Sequence, residues 1–306
     1  MKQFIRQLAV FVPFASIVYL VLLFVWGSWI PMSFKRNMHY RAASGGHLFT
    51  RLKEVSEFQD VDVLFLGSSH AYRGFDTEFF RQNNISCFNL GSSSQTPLQT
   101  KVMVERYLTH LNPKKVVIEV YPESFMSDGV ESSLDVIANA PNDLHSLRMA
   151  LQVNHLKTYN TLLFAQMREV LGLNKNITEP AQKGKDRYVS GGYVERLEGN
   201  FSPSELPQKT IEVRPEQWKA FEEILGIIQA KKIPVLLVYA PVAPVNYTRY
   251  SNTASFDSAI SRFGYYINFN EELVLNDSLH FYDEHHLNKA GVAEFNRAML
   301  QVLREK

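Results

Sequence analysis

The sequence predicts an α/β fold, a mostly parallel sheet with helices on both faces, preceded by one membrane-crossing helix. Three observations carry this. Four short apolar runs, "VDVLFLG" (61–67), "ISCFNLG" (85–91), "KKVVIEVYP" (114–122) and "IPVLLVYAP" (233–241), read as strands buried on both faces. Segments with helical spacing lie between them, and strands alternating with helices imply right-handed crossovers and a parallel sheet. No charged side chain occurs from Gln7 to Phe34.

That uncharged stretch comes first in the chain. A span from roughly Leu8 to Ile30 is long enough to cross a hydrocarbon layer of about 30 Å as a helix. Pro13 is a kink position near its start, and Trp26 and Trp29 fall where an interfacial belt places aromatics. The apolar run exceeds that of a cleavable signal, and "WGSWIPM" is a poor cleavage site, so an uncleaved anchor is expected. Lys2 and Arg6 precede the span while Lys35, Arg36 and Arg41 follow it, so charge alone does not orient it. Residues 1–34 are therefore assigned to the tip and anchor. Residues 35–60 form a polar connector with one helix, and 61–306 form the domain proper.

Within the domain, "TEFFRQN", "TPLQTKVMVERYLTHLN" and "PEQWKAFEEILGIIQAKK" read as helices. The last carries Trp218, Phe221, Ile224, Leu225 and Ile228 on one stripe. "YYINFN" (265–270) adds a fifth strand, and a closing helix runs from Asn288 onward. One region, about 131–214, breaks the alternation. A helical stretch is followed there by a segment rich in polar, Gly and Pro residues, and a connection this long is usually functional. It is read as an insertion capping one end of the sheet, with "RYVSGGYVERL" as a loop near the ligand.

Composition narrows the function classes. With 306 residues, 45% hydrophobic and 12% aromatic, the chain can bury a substantial core. The formal net charge of +1 balances 32 basic against 31 acidic residues without a long basic run, which argues against nucleic acid as a partner. The single cysteine, Cys87, excludes an internal disulfide and reads as a core residue.

In an open parallel sheet, ligands gather at the carboxyl ends of the strands. Three predicted strands end in conspicuous groups: Gly67-Ser68-Ser69-His70, Asn89-Leu90-Gly91-Ser92 and Tyr121-Pro122-Glu123. Near the far end of the chain, "FYDEHHLNKAGVAEFN" (281–296) places Asp283 and His286 three apart. On one tight turn a carboxylate at that spacing reaches the imidazole Nδ1, fixes its tautomer and leaves Nε2 free as a base. Other readings stay open. Ser69 could cap a helix beginning near Phe75, and His70 could be a plain loop residue. His280, Asp283, His285 and His286 could hold zinc. His145 and His155 have no identifiable partner.

A strand ending in Gly-x-Ser, a second ending in an Asn- and Gly-containing block, and a C-terminal Asp-x-x-His-Leu-Asn-x-x-Gly together resemble the SGNH (GDSL-type) hydrolase superfamily. The resemblance covers roughly residues 61–125 and 230–304. With "GSSHAYRGFD" and the N-terminal anchor, the chain is more similar to the membrane-attached acyl-transfer branch, which acts in teichoic acid D-alanylation and exopolysaccharide O-acetylation. The resemblance implies a flavodoxin-like three-layer α/β/α sandwich and acyl-ester chemistry without a cofactor or metal. Ser69 matches the nucleophile, Asp283 the orienting acid and His286 the general base. Gly91 matches the second-block oxyanion donor, alongside the Ser69 N–H. Where the third block usually reads Gly-x-Asn-Asp, this chain has Tyr121-Pro122-Glu123, so the asparagine donor is missing; Gln95 or an insertion residue is expected to replace it. Asn89 and His70 complete the expected oxyanion and substrate-binding set.

The expected function is transfer of an acetyl or similar group onto a cell-surface carbohydrate, through acylated Ser69, with a membrane acyl-donor protein as a candidate partner. One alternative is an anchored esterase with the same triad; another is a non-catalytic glycan-binding or scaffold protein. The resemblance places residues after Phe34 on the extracytoplasmic side. Tyr188, Tyr193 and Arg187 of the insertion are expected to grip the sugar.

Overall fold

The computed structural model describes residues 1–305. Five strands, β1 (Val63–Leu66), β2 (Cys87–Asn89), β3 (Lys115–Glu119), β7 (Val235–Tyr239) and β8 (Tyr265–Asn268), form one sheet in the order β2-β1-β3-β7-β8. Every pairing in it is parallel. Between β3 and β7 lie three short strands, β4 (Gln182–Lys183), β5 (Asp186–Val189) and β6 (Tyr193–Arg196), paired antiparallel in a separate sheet.

The strands are apolar throughout because both faces are covered, and alternate side chains enter opposite layers. Leu64, Leu66, Val116, Ile118 and Leu237 point into one core; Val63, Phe65, Val117, Leu236 and Val238 point into the other. In chain order, the first ten helices are α1 (Lys2–Trp29), α2 (Leu48–Glu54), α3 (Ser69–Gly74), α4 (Thr77–Gln82), α5 (Pro97–Leu111), α6 (Pro122–Met126), α7 (Val130–Asn139), α8 (Leu144–Val153), α9 (Leu156–Val170) and α10 (Pro215–Ala230). α5 and α10 cover the first face, and the expected stripe on α10 buries Phe221, Ile224, Leu225 and Ile228 there. α5 begins where Thr96 and Gln99 form a reciprocal capping box with Pro97 at the first helical position. The second face is closed by α3, α4 and the C-terminal helix Lys289–Glu305. The result is a three-layer α/β/α sandwich.

The insertion departs from expectation in two ways. Its helical part is three helices, α7, α8 and α9, and the break between the last two comes at Asn154, which is left-handed, and His155, whose ring caps α9. The segment "RYVSGGYVERL" is a β5–β6 hairpin rather than a loop near a ligand. It packs beside β2 and α3: the Gly191 carbonyl accepts from the Asn89 N–H, and Asp186 takes a two-pronged bond from Arg73. The connector carries the one expected α-helix, α2. From it, the fully buried Arg51 donates to the carbonyls of Gly46, Gly91 and Gly192. One guanidinium thereby ties together the connector, the loop after β2 and the hairpin.

Candidate active site

The site is built where β1 stops. Leu66 is the last strand residue, and the chain turns directly into α3, whose first residue is Ser69. The capping duty falls on Ser68, whose side chain accepts from the His70 N–H. Ser69 therefore has a free hydroxyl, which excludes its reading as a helix cap. Its Oγ lies 2.8 Å from His286 Nε2.

His286 comes from the turn before the C-terminal helix, as the Asp-x-x-His spacing requires. Asp283 Oδ1 accepts the backbone N–H groups of His285 and His286 at 2.8 and 2.7 Å, which winds the turn tightly. The same carboxylate meets His286 Nδ1 at 2.9 Å. An ionised carboxylate only accepts, so Nδ1 carries the proton and Nε2 offers its lone pair to the Ser69 hydroxyl. Burial opposes the Asp283 charge, but the His286 ring and the two backbone donors outweigh it and hold its pKa at about 2. Burial lowers the His286 pKa below the ordinary imidazole value, with Asp283 partly opposing that shift. The imidazole is therefore neutral at rest.

Two residues outside the triad fix the plane of His286. His70 stacks on one face, with ring centroids 5.1 Å apart, and Tyr282 on the other at 5.5 Å. Tyr282 is itself backed by the guanidinium groups of Arg73 and Arg196, both paired with Asp186. The hairpin thus supports the imidazole from behind.

His70 is held by a buried chain of its own. Ser68 donates both its N–H and its hydroxyl to Glu119 Oε2, at 2.8 Å each, and Ser68 Oγ lies 3.0 Å from His70 Nδ1. While Glu119 is ionised the hydroxyl proton is committed to it, so His70 Nδ1 is the donor toward Ser68. Glu119 ends β3, and burial raises its pKa to about 7 against the pull of Ser68 and the Tyr121 backbone. Burial, then the neighbouring His286 and His285, lower His70 well below the usual imidazole range.

The cavity in front of Ser69 is about 290 Å³ and is lined by Ser68, Ser69, His70, Ser94, Tyr121, Glu123, His285 and His286 among others. Of the three strand-end groups expected at the rim, the first and third line this wall, and none of Asn89, Leu90, Gly91 and Ser92 does. There the structure corrects the sequence reading. The Gly91 N–H is taken by Asn89 Oδ1 at 3.0 Å, and Asn89 Nδ2 donates to the Ala71 carbonyl. Both residues brace the loop against α3, and a Cβ on Gly91 would sit 2.8 Å from the Ser68 carbonyl. Gln95 is likewise committed: its Oε1 accepts from Ser92 Oγ and its Nε2 donates to Thr100 Oγ1. None of the three lines the cavity, and the Gly91 N–H and the Gln95 amide oxygen are engaged within the loop.

Ser94 lies on the cavity wall with φ +51, and its N–H, like that of Ser69, has no acceptor among the described residues. Nothing in "NLGSSSQT" marks its last serine as a left-handed residue, so the sequence carries no signal for it. Glu123 lines the wall as a carboxylate bonded to Lys209 and Tyr250.

The sugar-gripping trio is placed elsewhere. Tyr193 is buried in the second core, the Tyr188 hydroxyl donates to Glu54, and Arg187 pairs with Glu195. The histidines read as an alternative metal cluster are separately engaged. His280 Nδ1 accepts from the Asn276 N–H, and His285 Nδ1 faces the Tyr121 hydroxyl and Asn246 Nδ2, each at 3.1 Å. Among the described residues no three such groups converge on one point. His145 pairs with Glu105, 2.8 Å away on α5.

No protein-family profile matches the chain, and no curated protein matches it. Several solved structures are similar. One is a Bacteroides fragilis protein described as an acylhydrolase, 14% identical, covering 86% of this chain and 98% of that one, with a TM-score of 0.47. A GDSL-like lipase from Bacteroides thetaiotaomicron is 13% identical over 85% of this chain and 98% of that one, with a TM-score of 0.43. A two-domain esterase active on acetylated mannans is 14% identical over 86% of this chain and 54% of that one, with a TM-score of 0.36.

Proposed function

We propose that the protein is a serine-dependent acyl-transfer enzyme that moves a small acyl group, such as acetyl, from an activated ester to a hydroxyl of a cell-surface carbohydrate. The observation that carries this reading is the unbroken chain Ser69 Oγ–His286 Nε2 and His286 Nδ1–Asp283, at 2.8 and 2.9 Å, at the mouth of a small polar cavity. Ser69 Oγ attacks the ester carbonyl and passes its proton to His286 Nε2, while Asp283 stabilises the imidazolium. The backbone N–H groups of Ser69 and Ser94 are the donors for the oxyanion. Collapse breaks the ester C–O bond, the leaving alkoxide takes the proton from His286, and the acyl group remains on Ser69. The acceptor hydroxyl then attacks this ester, gives its proton to His286 and leaves with the acyl group, and Ser69 recovers the proton.

The cavity volume of about 290 Å³ favours an acetyl-sized group over a long acyl chain. A second groove of about 520 Å³ adjoins it, with Glu131 on the wall of both; His39, Arg41, Ser93 and Lys157 contribute to it. This groove, rather than the hairpin, is the route for an extended acceptor.

The same triad hydrolyses the acyl-enzyme if water arrives first, so an esterase is the second reading. A tethered enzyme suits a partner that hands over acyl groups at the membrane, which favours transfer. Labelling with a fluorophosphonate probe tests the shared chemistry: a mass increase on Ser69, absent in Ser69→Ala, is expected, and no labelling leaves only a binding or scaffold role. Mass spectrometry of surface glycans from cells with and without the gene separates the two enzymatic readings. Loss of O-acyl groups supports transfer, and unchanged glycans support hydrolysis.

A further inference from the structure

The insertion exposes an apolar face that the site does not use. Seven of the thirteen large apolar side chains exposed outside α1 fall within residues 144–173. On α8, Leu144, Leu147 and Leu151 are 67%, 43% and 58% exposed, at the i, i+3, i+7 spacing of one stripe. On α9, Leu156 and Val170 are 54% and 87% exposed, two turns either side of the half-buried Leu163.

This face is continuous with α1. Phe164 of α9 packs with Leu23 and Met38, and it lies against Gly27, where any Cβ would collide with its ring. The Tyr19 hydroxyl donates to Asn160 Oδ1 at 2.6 Å. The crossing runs from Tyr19 to Gly27, from the middle of the span to the aromatic belt expected at the membrane surface. Along it, Ile17, Leu20 and Val21 of α1 and Met167 and Val170 of α9, with Leu171 just past its end, wall an almost wholly apolar groove of about 520 Å³. Gln166 borders that groove and donates to the Asn142 carbonyl beside α8, which brings the α8 stripe to the same side.

We propose that the α8–α9 hairpin lies on the bilayer that α1 crosses, the leucine face of α8 in the interfacial layer and the C-terminal end of α9 among the acyl chains beside α1. The inference rests on the reading of α1 as a membrane span. Lipid rather than protein is the occupant because α1 and α9 share one unfilled apolar groove, so the layer that covers α1 covers the hairpin too. An amphipathic helix with cations at its margin is what such a layer retains. Arg148 is exposed beside the leucine stripe of α8, Lys175 is exposed beyond the end of α9, and Lys157 on the first turn of α9 reaches the groove beside the active site. The hairpin thereby sets the height of the catalytic cleft: it opens at the level of the headgroups.

The test uses the full chain in a Cys87→Ala background, with single cysteines at Leu147, Leu151 or Val170, at Leu22 in α1, and at Val274, which is fully exposed elsewhere. Each is labelled with an NBD fluorophore and reconstituted into phosphatidylcholine–phosphatidylglycerol vesicles. Blue-shifted emission is expected at the three hairpin positions. Leu147 and Leu151 should be quenched at least twofold more strongly by 5-doxyl than by 12-doxyl lipid, Val170, which walls the groove beside Leu20 and Val21, should share the reverse preference of Leu22, and Val274 should show neither. Hairpin probes that behave like Val274 while Leu22 is quenched overturn the proposal and leave the anchor standing. Probes that are blue-shifted but unquenched by either lipid overturn it in favour of a protein cover, such as a second copy. A Leu22 probe in water overturns the anchor, and the hairpin placement with it.

Discussion

His286 sits between two flat groups, His70 and Tyr282, which leaves its ring one plane in which Nδ1 meets Asp283 and Nε2 meets Ser69. On the proposed mechanism, removing either reacting group removes the reaction. Ser69→Ala and His286→Ala should each lower hydrolysis of p-nitrophenyl acetate at least ~10³-fold, with unchanged thermal midpoints, because both lie on the rim rather than in the core. Asp283→Asn should lose roughly tenfold less than either, since it costs orientation and charge but keeps the nucleophile. The pH profile follows from the lowered pKa of His286. Only the neutral imidazole accepts the Ser69 proton, so kcat/KM should rise with pH through a midpoint below 6.5, the ordinary imidazole value. A midpoint above 7 in a stopped-assay titration would contradict the burial of this ring.

At the scale of elements, β3 ends on a buried carboxylate that holds the turn after β1. Burial raises Glu119 to about 7, so between its unfolded value near 4.5 and about 7 the folded protein binds the extra proton. The stabilisation is full below that window and is lost as pH rises through it, by on the order of 3 kcal/mol. Asp135, raised to about 7 by burial, acts in the same direction. Glu119→Gln keeps an acceptor for Ser68 without a titrating proton. Its thermal midpoint should fall less between pH 5 and pH 8 than that of the wild type, measured by circular dichroism. Arg51 joins three segments through three carbonyls. Arg51→Met fills the volume but leaves those acceptors unpaired, and it should cost roughly 3–5 kcal/mol in urea unfolding.

On the scale of the whole molecule, the sandwich hangs from one apolar helix. If α1 is an uncleaved anchor with the domain outside the cytoplasmic membrane, protein in intact spheroplasts should be degraded by added protease down to the anchor. It should also stay in the pellet after alkaline carbonate washing. A protected domain would place the chemistry on the cytoplasmic side, and release by carbonate would remove the anchor.

Local pattern determined a good deal. Apolar runs such as "VLFL" are strands because nothing in them can face water, and Asp283 and His286 meet because three residues of one turn bring them together. Ser69 stands out because a Gly-x-Ser ends an apolar strand; that it is not the helix cap is decided by the structure, where Ser68 caps α3. The rest was decided by contacts between residues far apart in the chain. Tyr282 and His70 flank one imidazole only because α3 and the C-terminal turn converge. Gly91 carries an N–H like any other until Asn89 turns its side chain onto it, and Ser94 reaches the cavity wall, as a left-handed residue, only through the folding of its loop. Tyr188, Tyr193 and Arg187 resemble a sugar platform in sequence but are spent on Glu54, the core and Glu195. Periodicity reports which face of an element avoids water; it carries no information on which partner a polar group finds, because that partner is fixed by packing across the fold.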